Sequence, residues 1–388
     1  MMSHYLIKSS TLVNKMNKDS FNSYLFKYLR LLSSYLNKKV LNEDIDDNTL
    51  SFFIKLSKRH SLTALLYKAI VETQSQCNKE QLKKLEEYYY ANLRKHALFE
   101  QERNELYKYL TDNKIDYLPL KGLIIKDYYL DPFTREFADN DILFSDKDNL
   151  IKQFFVNKDY EIEVYRKGNH DVYLKKPFYN FEMHRALFSE NEDYPSFVNY
   201  FADYFKKASK KKGREYYLSN EDFYIYFTAH SYKHYQGGGC GIRTLVDYYQ
   251  YLKNTKLDYK YINKELEKLD LLEFSNNFSS LALKVFDGKE LNEDEKEILL
   301  YIASSGTYGT LENTVTKGVK KKGKFGYFMS RIFPPYSFYK SAYPWAYKVP
   351  ILIPIAWFMR LCRVLFKNPK KATTELKMIA TSKEEKDN

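Results

Sequence analysis

Tryptophan is nearly absent from this chain, with 2 in 388 residues, and cysteine is scarce, with 3. Cys77, Cys240 and Cys362 lie far apart with no C-x-x-C spacing, so they point to neither a disulfide framework nor a zinc site. That usage fits a reducing, cytoplasmic setting. No run reaches the ~20 apolar residues a membrane-spanning helix needs. The nearest, Val349 to Phe358, is too short and contains Pro350 and Pro354. The opening MMSHYLIKSSTLVNK also lacks the apolar core of a secretory leader.

What is present is tyrosine, phenylalanine and lysine. With 38 Tyr and 27 Phe, aromatics reach 17% and hydrophobic residues 44%, so the chain is no disordered polymer, and its 388 residues are long enough for two or three domains with real cores. The formal charge of +12 is compatible with nucleic acid, a phosphate-bearing ligand or an anionic membrane surface. Much of it sits in runs, Lys210–Lys212 and Lys320–Lys322, which read as solvated faces or loops. Charge alone does not choose among these partners.

Along the chain, Leu82, Leu85, Tyr89, Leu93, Leu106 and Leu110 keep steps of three and four, and residues 20–112 read as helical. Asn113 marks a turn, after which Ile115, Tyr117 and Leu118 begin a short strand running to Lys121. A helix is expected over 121–130. NDILF, YEIEVY, HDVYLKK and FYNFEMHRAL follow as strand-length segments with period-two features. Helical character returns from about 196, with Ser219 ahead of Glu221 and Asp222 as a helix start. The expected organisation is α+β: an N-terminal helical region (1–112), a small mixed-sheet core (113–195), a C-terminal helical region (196–310), and a basic, aromatic-rich arm (311–388) whose last ~15 residues read as disordered.

The chemistry concentrates in the small sheet. Residues i and i+2 of a strand project from one face, ~6.6–7 Å apart. Asp139 and Asp141 therefore address one site and Asn140 faces away. Hard divalent cations take oxygen ligands, and Mg²⁺ is commonly held by one or two carboxylates plus substrate phosphates. In FYNFEMHRAL, Phe181 and Met183 take one face and Glu182 and His184 the other, which offers a third carboxylate. An isolated D-x-D is common by chance and an isolated Glu182 fits an exposed sheet face; the ordered set is more specific.

LPLKGLIIKDYYLDPFTREFADNDILF resembles the signature of the uncharacterised nucleotidyltransferases of the DNA polymerase β superfamily. Lys121-Gly122, Tyr128-Tyr129, Pro132, Arg135 and Asp139-Asn140-Asp141 carry the resemblance, and Glu182-Met183-His184 matches a later element. RHSLTALLYKAI, the segment from HSYKH through IRTLVDYYQYL, and IFPPYSFYKSAYPW extend it over most of residues 50–365. Asn140 stands where an apolar residue is usual and Ala138 where glycine is common; neither removes a carboxylate.

The resemblance implies a polymerase β-like core that transfers a nucleoside monophosphate from a nucleoside triphosphate to an acceptor, releasing pyrophosphate. Asp139, Asp141 and Glu182 would hold Mg²⁺, with Mn²⁺ as an alternative. Lys121, Gly122, Arg135 and His184 would serve nucleotide binding, although a salt bridge from Arg135 to an aspartate is an equal expectation. The acceptor stays open among a small molecule, a glycan precursor, a protein and an RNA end. The alternative is a catalytically idle nucleotide-binding or membrane-associated scaffold.

Weaker signals complete the reading. His230 and His234 share a helix face but lack the Glu of a zinc protease motif. Arg243 and Asp247 are spaced to pair along their helix. GGGCG (237–241) lacks the Gly-Lys-Ser/Thr ending of a P-loop and reads as a flexible loop. Residues 331–370 combine apolar residues, two tryptophans and a basic end. They suit peripheral contact with the inner face of a membrane, or docking on the protein's own helices or a second subunit.

Overall fold

The computed structural model describes residues 18–145, 148–189, 194–307, 309–367 and 369–381. Among the described residues four helices come first: α1 (Lys18–Leu36), α2 (Asp47–His60), α3 (Thr63–Glu72) and α4 (Lys79–Asp112). Their starts follow local chemistry. Asp46 accepts the amides of Asn48 and Thr49, and Asn78 accepts those of Glu80 and Gln81, supplying partners that the first turns lack. Along α4, Leu85, Tyr89, Phe99, Leu106 and Leu110 are buried, as the steps of three and four require.

The strand-rich core comprises β1 (Tyr117–Pro119), α5 (Gly122–Ile125), β2 (Asn140–Phe144), α6 (Asp148–Asn157), β3 (Glu161–Val164), β4 (His170–Lys175) and β5 (Tyr179–His184). The five strands form one mixed sheet in the order β1-β2-β5-β4-β3. Only β2 and β5 run parallel; the other pairs are antiparallel. One face of the sheet packs Ile142, Phe144, Phe181 and Met183 against Phe99 and Leu106 of α4 and Phe155 of α6. The opposite face carries Leu143 and meets the C-terminal helices. The expected helix over 121–130 is shorter: α5 lasts one turn, followed by 3-10 turns at Lys126–Tyr128 and Pro132–Thr134.

Beyond the sheet come α7 (Pro195–Phe201), α8 (Tyr204–Lys207), a two-strand ladder of β6 (Ser209–Lys210) and β7 (Tyr216–Tyr217), then α9 (Asn220–Gly237), α10 (Ile242–Asn254), α11 (Tyr259–Glu267), α12 (Leu272–Asp287) and α13 (Glu293–Ser305). Ser219 accepts the Asp222 amide and opens α9 where the acidic first turn placed it. Leu25, Leu32, Phe53 and Leu65 from the N-terminal helices share one hydrophobic cluster with Tyr224, Tyr248, Phe278 and Ile302. The two helical regions, separate in sequence, therefore pack together around the sheet.

The arm folds as α14 (Leu311–Ile332), broken at Gly323, α15 (Tyr336–Ala342), α16 (Pro344–Lys348), α17 (Ile353–Lys367) and α18 (Pro369–Thr381). Here the structure corrects two expectations. Residues 374–381, read as disordered, complete α18, and Ile379 packs with Val315 and Val319; 382–388 lie outside the described residues. GGGCG is no flexible loop. A Cβ on Gly239 would lie 2.0 Å from Ser305 Oγ, and one on Gly241 would lie 2.8 Å from His60 Nδ1. Glycine is needed there for close packing between α9, α10 and the end of α13, aided by the positive φ of Gly238 and Gly239.

Candidate active site

Parallel pairing of β2 with β5 sets Asp141 opposite Glu182 and Leu143 opposite His184. Neighbouring strands lie ~4.8 Å apart, so two carboxylates are forced side by side on one face. Asp139, two residues earlier, stands half-buried at the strand's entrance. Asn140 turns the other way, as the alternation requires. It accepts from Arg103 Nη1 at 2.8 Å and donates to the Asn180 carbonyl at 3.1 Å.

Asp141 is the hub. Its Oδ1 receives Lys121 Nζ at 2.6 Å and His184 Nε2 at 2.9 Å. Burial disfavours its charge, but Lys121 and His184 outweigh burial and hold the carboxyl well below its usual range. Lys121 gains reciprocally: burial opposes its charge, and Asp141 raises it above the normal ammonium value. Asp139 moves up, through burial and then repulsion from Asp141. The backbone at Lys121 has φ 48°, a left-handed conformation that costs a residue with a Cβ about 1–3 kcal/mol. That strain sits where the chain turns from β1 to present the ammonium to Asp141.

Two imidazoles adjoin Glu182, and Asn169 fixes their states. Its Nδ2 donates to the carbonyls of Ala186 and Leu187, at 3.1 and 3.3 Å, which sets the amide's orientation. The same Nδ2 faces His184 Nδ1 at 3.4 Å, so His184 carries its proton on Nε2 and donates to Asp141. Asn169 Oδ1 lies 3.1 Å from His170 Nδ1, which makes that nitrogen the donor and leaves His170 Nε2 with a lone pair, 3.7 Å from Glu182 Oε2. A lone pair facing a carboxylate calls for a proton or a cation between them. Ring nitrogens of His170 and His184 and a Glu182 oxygen all lie within 4.8 Å of one another. His170 Nε2 and Glu182 have the lone pairs a metal ion would need, whereas His184 Nε2 spends its proton on Asp141.

Burial first, then Asp141 and Asp139, push Glu182 up to about 8. At neutral pH Glu182 then keeps its proton, and a cation held there would have to displace it. Affinity for Mn²⁺ is expected to rise with pH, by about tenfold per unit below pH 8, and to level off above it. Calorimetry in buffers of different ionisation enthalpy would show about one proton released per cation at pH 7; unchanged affinity from pH 6.5 to 8 would refute this.

Arg135 is engaged by a buried carboxylate, and Gly122 packs against it. The Arg135 guanidinium makes a two-point contact with Asp247 of α10, at 3.1 and 2.9 Å, and both are buried. Tyr129 also donates to Asp247, at 2.6 Å. The expected Arg243–Asp247 helix pair is therefore replaced: Asp247 turns toward Arg135, and Arg243 donates to the Glu136 carbonyl at 2.9 Å. Gly122 lies under Arg135, where a Cβ would come within 2.6 Å of Nη1. Glu136 in turn accepts the Ala64 amide at the start of α3 and the Tyr88 hydroxyl. Polar groups of α4 hold the same loop, with Asn92 donating to the Phe133 carbonyl and Lys95 to that of Phe137.

The chain matches a family described as "Uncharacterised nucleotidyltransferase" over residues 46–287. It belongs to that family. No curated protein and no solved structure is detectably similar to it. The matched span of this nucleotidyltransferase-family member takes in α2 to α12, hence every strand, Lys121, the three carboxylates and the Arg135–Asp247 pair.

Sequence reasoning missed His170, Asn169 and Asp247 as parts of this arrangement. His170 opens a strand whose register against His184 is set only by pairing of β4 with β5. His230 and His234, noted for their spacing, do face one another, with Nε2 atoms 3.0 Å apart. Burial and then the Lys121 charge keep His230 neutral, which places that part of α9 beside the site. A cavity of about 490 Å³, lined by Tyr88, Asn92, Arg94, Lys95, Phe137 and Phe178 among others, reaches Ala138, next to Asp139.

Proposed function

We propose that the protein transfers a nucleoside monophosphate from a nucleoside triphosphate to an acceptor hydroxyl, with release of pyrophosphate, in a polymerase β-like manner. The single observation that carries this reading is the in-register pairing of Asp141 with Glu182 beneath Lys121. Asp139, Asp141 and Glu182 would hold one or two divalent cations, Mg²⁺ or Mn²⁺, and the nitrogen donor of His170 suits Mn²⁺ particularly. Such a cation, when bound, lowers the charge repulsion between triphosphate and attacking oxygen.

The remaining roles belong to the protein. His184 fixes the orientation of Asp141 through its Nε2 proton. Lys121, whose ammonium stands 2.6 Å from Asp141, would offer its charge to the phosphates. Arg135 acts through position, tying the loop before β2 to α10. The aromatic and basic cavity beside Asp139 is large enough for an acceptor or a base.

The test is incubation of the full chain with each α-labelled nucleoside triphosphate and Mg²⁺ or Mn²⁺, following label transfer and pyrophosphate. Slow pyrophosphate release, or self-labelling, is expected even without the native acceptor. Nucleotide binding with no pyrophosphate release across broad acceptor panels would favour the idle, scaffold reading.

A further inference from the structure

Between Glu312 and Glu375 the chain has thirteen Lys and Arg and no Asp or Glu, so this stretch accounts for the whole surplus of +12. Glu375, where acid returns, is already engaged by Arg331 at 2.6 Å. Lys321, Lys322, Lys348 and Arg363 are exposed.

Over the same stretch the usual amphipathic arrangement is reversed. Trp357 Nε1 donates inward to the Ile332 carbonyl at 2.9 Å. Arg360 donates inward to the carbonyls of Arg331 and Ile332, at 2.7 and 3.3 Å, and so closes the C-terminus of α14. With Trp357 and Arg360 of α17 turned in and Ala356 buried, Ile355, Phe358, Met359 and Phe366 form an outward stripe on one helix face. Phe358 is 63% exposed and Phe366 83%, and Ile351, just before α17, is 82% exposed. No helix among the described residues is long and apolar enough to cross a membrane.

We propose that α16 and α17 lie in the surface of an anionic lipid bilayer, with Ile351, Ile355, Phe358 and Met359 inserted among the acyl chains and the arm's cations over the headgroups. Charge and hydrophobicity select this occupant jointly. Nucleic acid would satisfy the cations but gives aliphatic Ile351, Ile355 and Met359 nothing to bury against. A second copy of the chain would bring two such arms, each strongly positive, together. Only an anionic bilayer offers acyl chains and negative charge in one plane. This inference does not rest on nucleotidyl transfer, and its test uses no nucleotide.

Both tryptophans of the chain, Trp345 and Trp357, lie in this arm, so tryptophan emission, excited selectively over that of the 38 tyrosines, reports on it alone. The full chain would be titrated with phosphatidylcholine vesicles and with phosphatidylcholine–phosphatidylglycerol vesicles, followed by flotation. A blue shift and co-flotation are expected only with phosphatidylglycerol, weakening as salt is raised. Phe358→Glu is expected to reduce partitioning by about tenfold or more. Replacing Lys321 and Lys322 by Gln is expected to cost about fivefold per charge. Because these side chains are exposed, the variants should melt like the wild type. Failure to float with either vesicle would overturn the proposal. So would dimerisation without lipid that Phe358→Glu abolishes, or tighter binding to a single-stranded RNA that displaces the vesicles.

Discussion

Asp141→Asn is expected to lower nucleotidyl transfer by about a thousandfold or more while leaving a folded chain. Asparagine keeps the volume and one acceptor oxygen, so His184 and Lys121 retain a partner. It lacks the charge that two cationic or polar donors now converge upon at 2.6 and 2.9 Å. Facing a neutral amide, the Lys121 ammonium loses its counter-charge, and a stability cost of about 1–3 kcal/mol follows. Label transfer, circular dichroism and Mn²⁺ titration on the same preparation separate lost chemistry from lost folding. Turnover within tenfold of wild type, with Mn²⁺ still bound, would remove Asp141 from the reaction and with it the proposed function.

Arg135→Met should unfold the protein more readily, by about 3–5 kcal/mol, because it leaves the Asp247 carboxylate buried without its cation. Asp247→Leu alone should cost a similar amount by stranding Arg135. The double variant should recover most of the loss, since breaking a buried pair is worse than replacing it by apolar groups of similar volume. Urea midpoints for the four proteins complete the cycle. A different result would be just as informative: unchanged stability together with a raised KM for nucleoside triphosphate would assign Arg135 to the phosphates. Gly122 bears on the same point, because the guanidinium fits only where no Cβ stands.

Much of the site could be read from spacing. Period-two alternation is a property of any strand, so Asp141 and Leu143 share a side, and Glu182 and His184 oppose Phe181 and Met183; Asp139, just ahead of β2, lies beyond the reach of that rule. The apolar residues of those same segments identified the buried face. Pairing was another matter. Nothing local in HDVYLKK says that His170 will sit across from His184, nor that Asn169 will set the protons of both rings. Arg243 and Asp247 show the opposite failure. Their i,i+4 spacing is a weak attraction of about 0.3–0.5 kcal/mol on an exposed helix, and a buried two-point contact from Arg135 overrides it. GGGCG misled for a related reason, since glycine serves both flexible turns and the closest packing, and only the neighbours Ser305 and His60 tell which.

The sequence by itself determined the α+β class, the strand-borne carboxylates, the family and the basic, apolar arm. Each of these depends on residue type and short-range period, which chain geometry translates directly into faces. Tertiary structure alone decided which charge meets which. It set Asp141 beside Glu182 by parallel register, turned Arg135 to Asp247 across 112 positions of chain, and drew Trp357 and Arg360 inward so that the apolar stripe of α17 faces out. Those outcomes depend on long-range packing, where burial makes a charge take whatever partner the fold brings near.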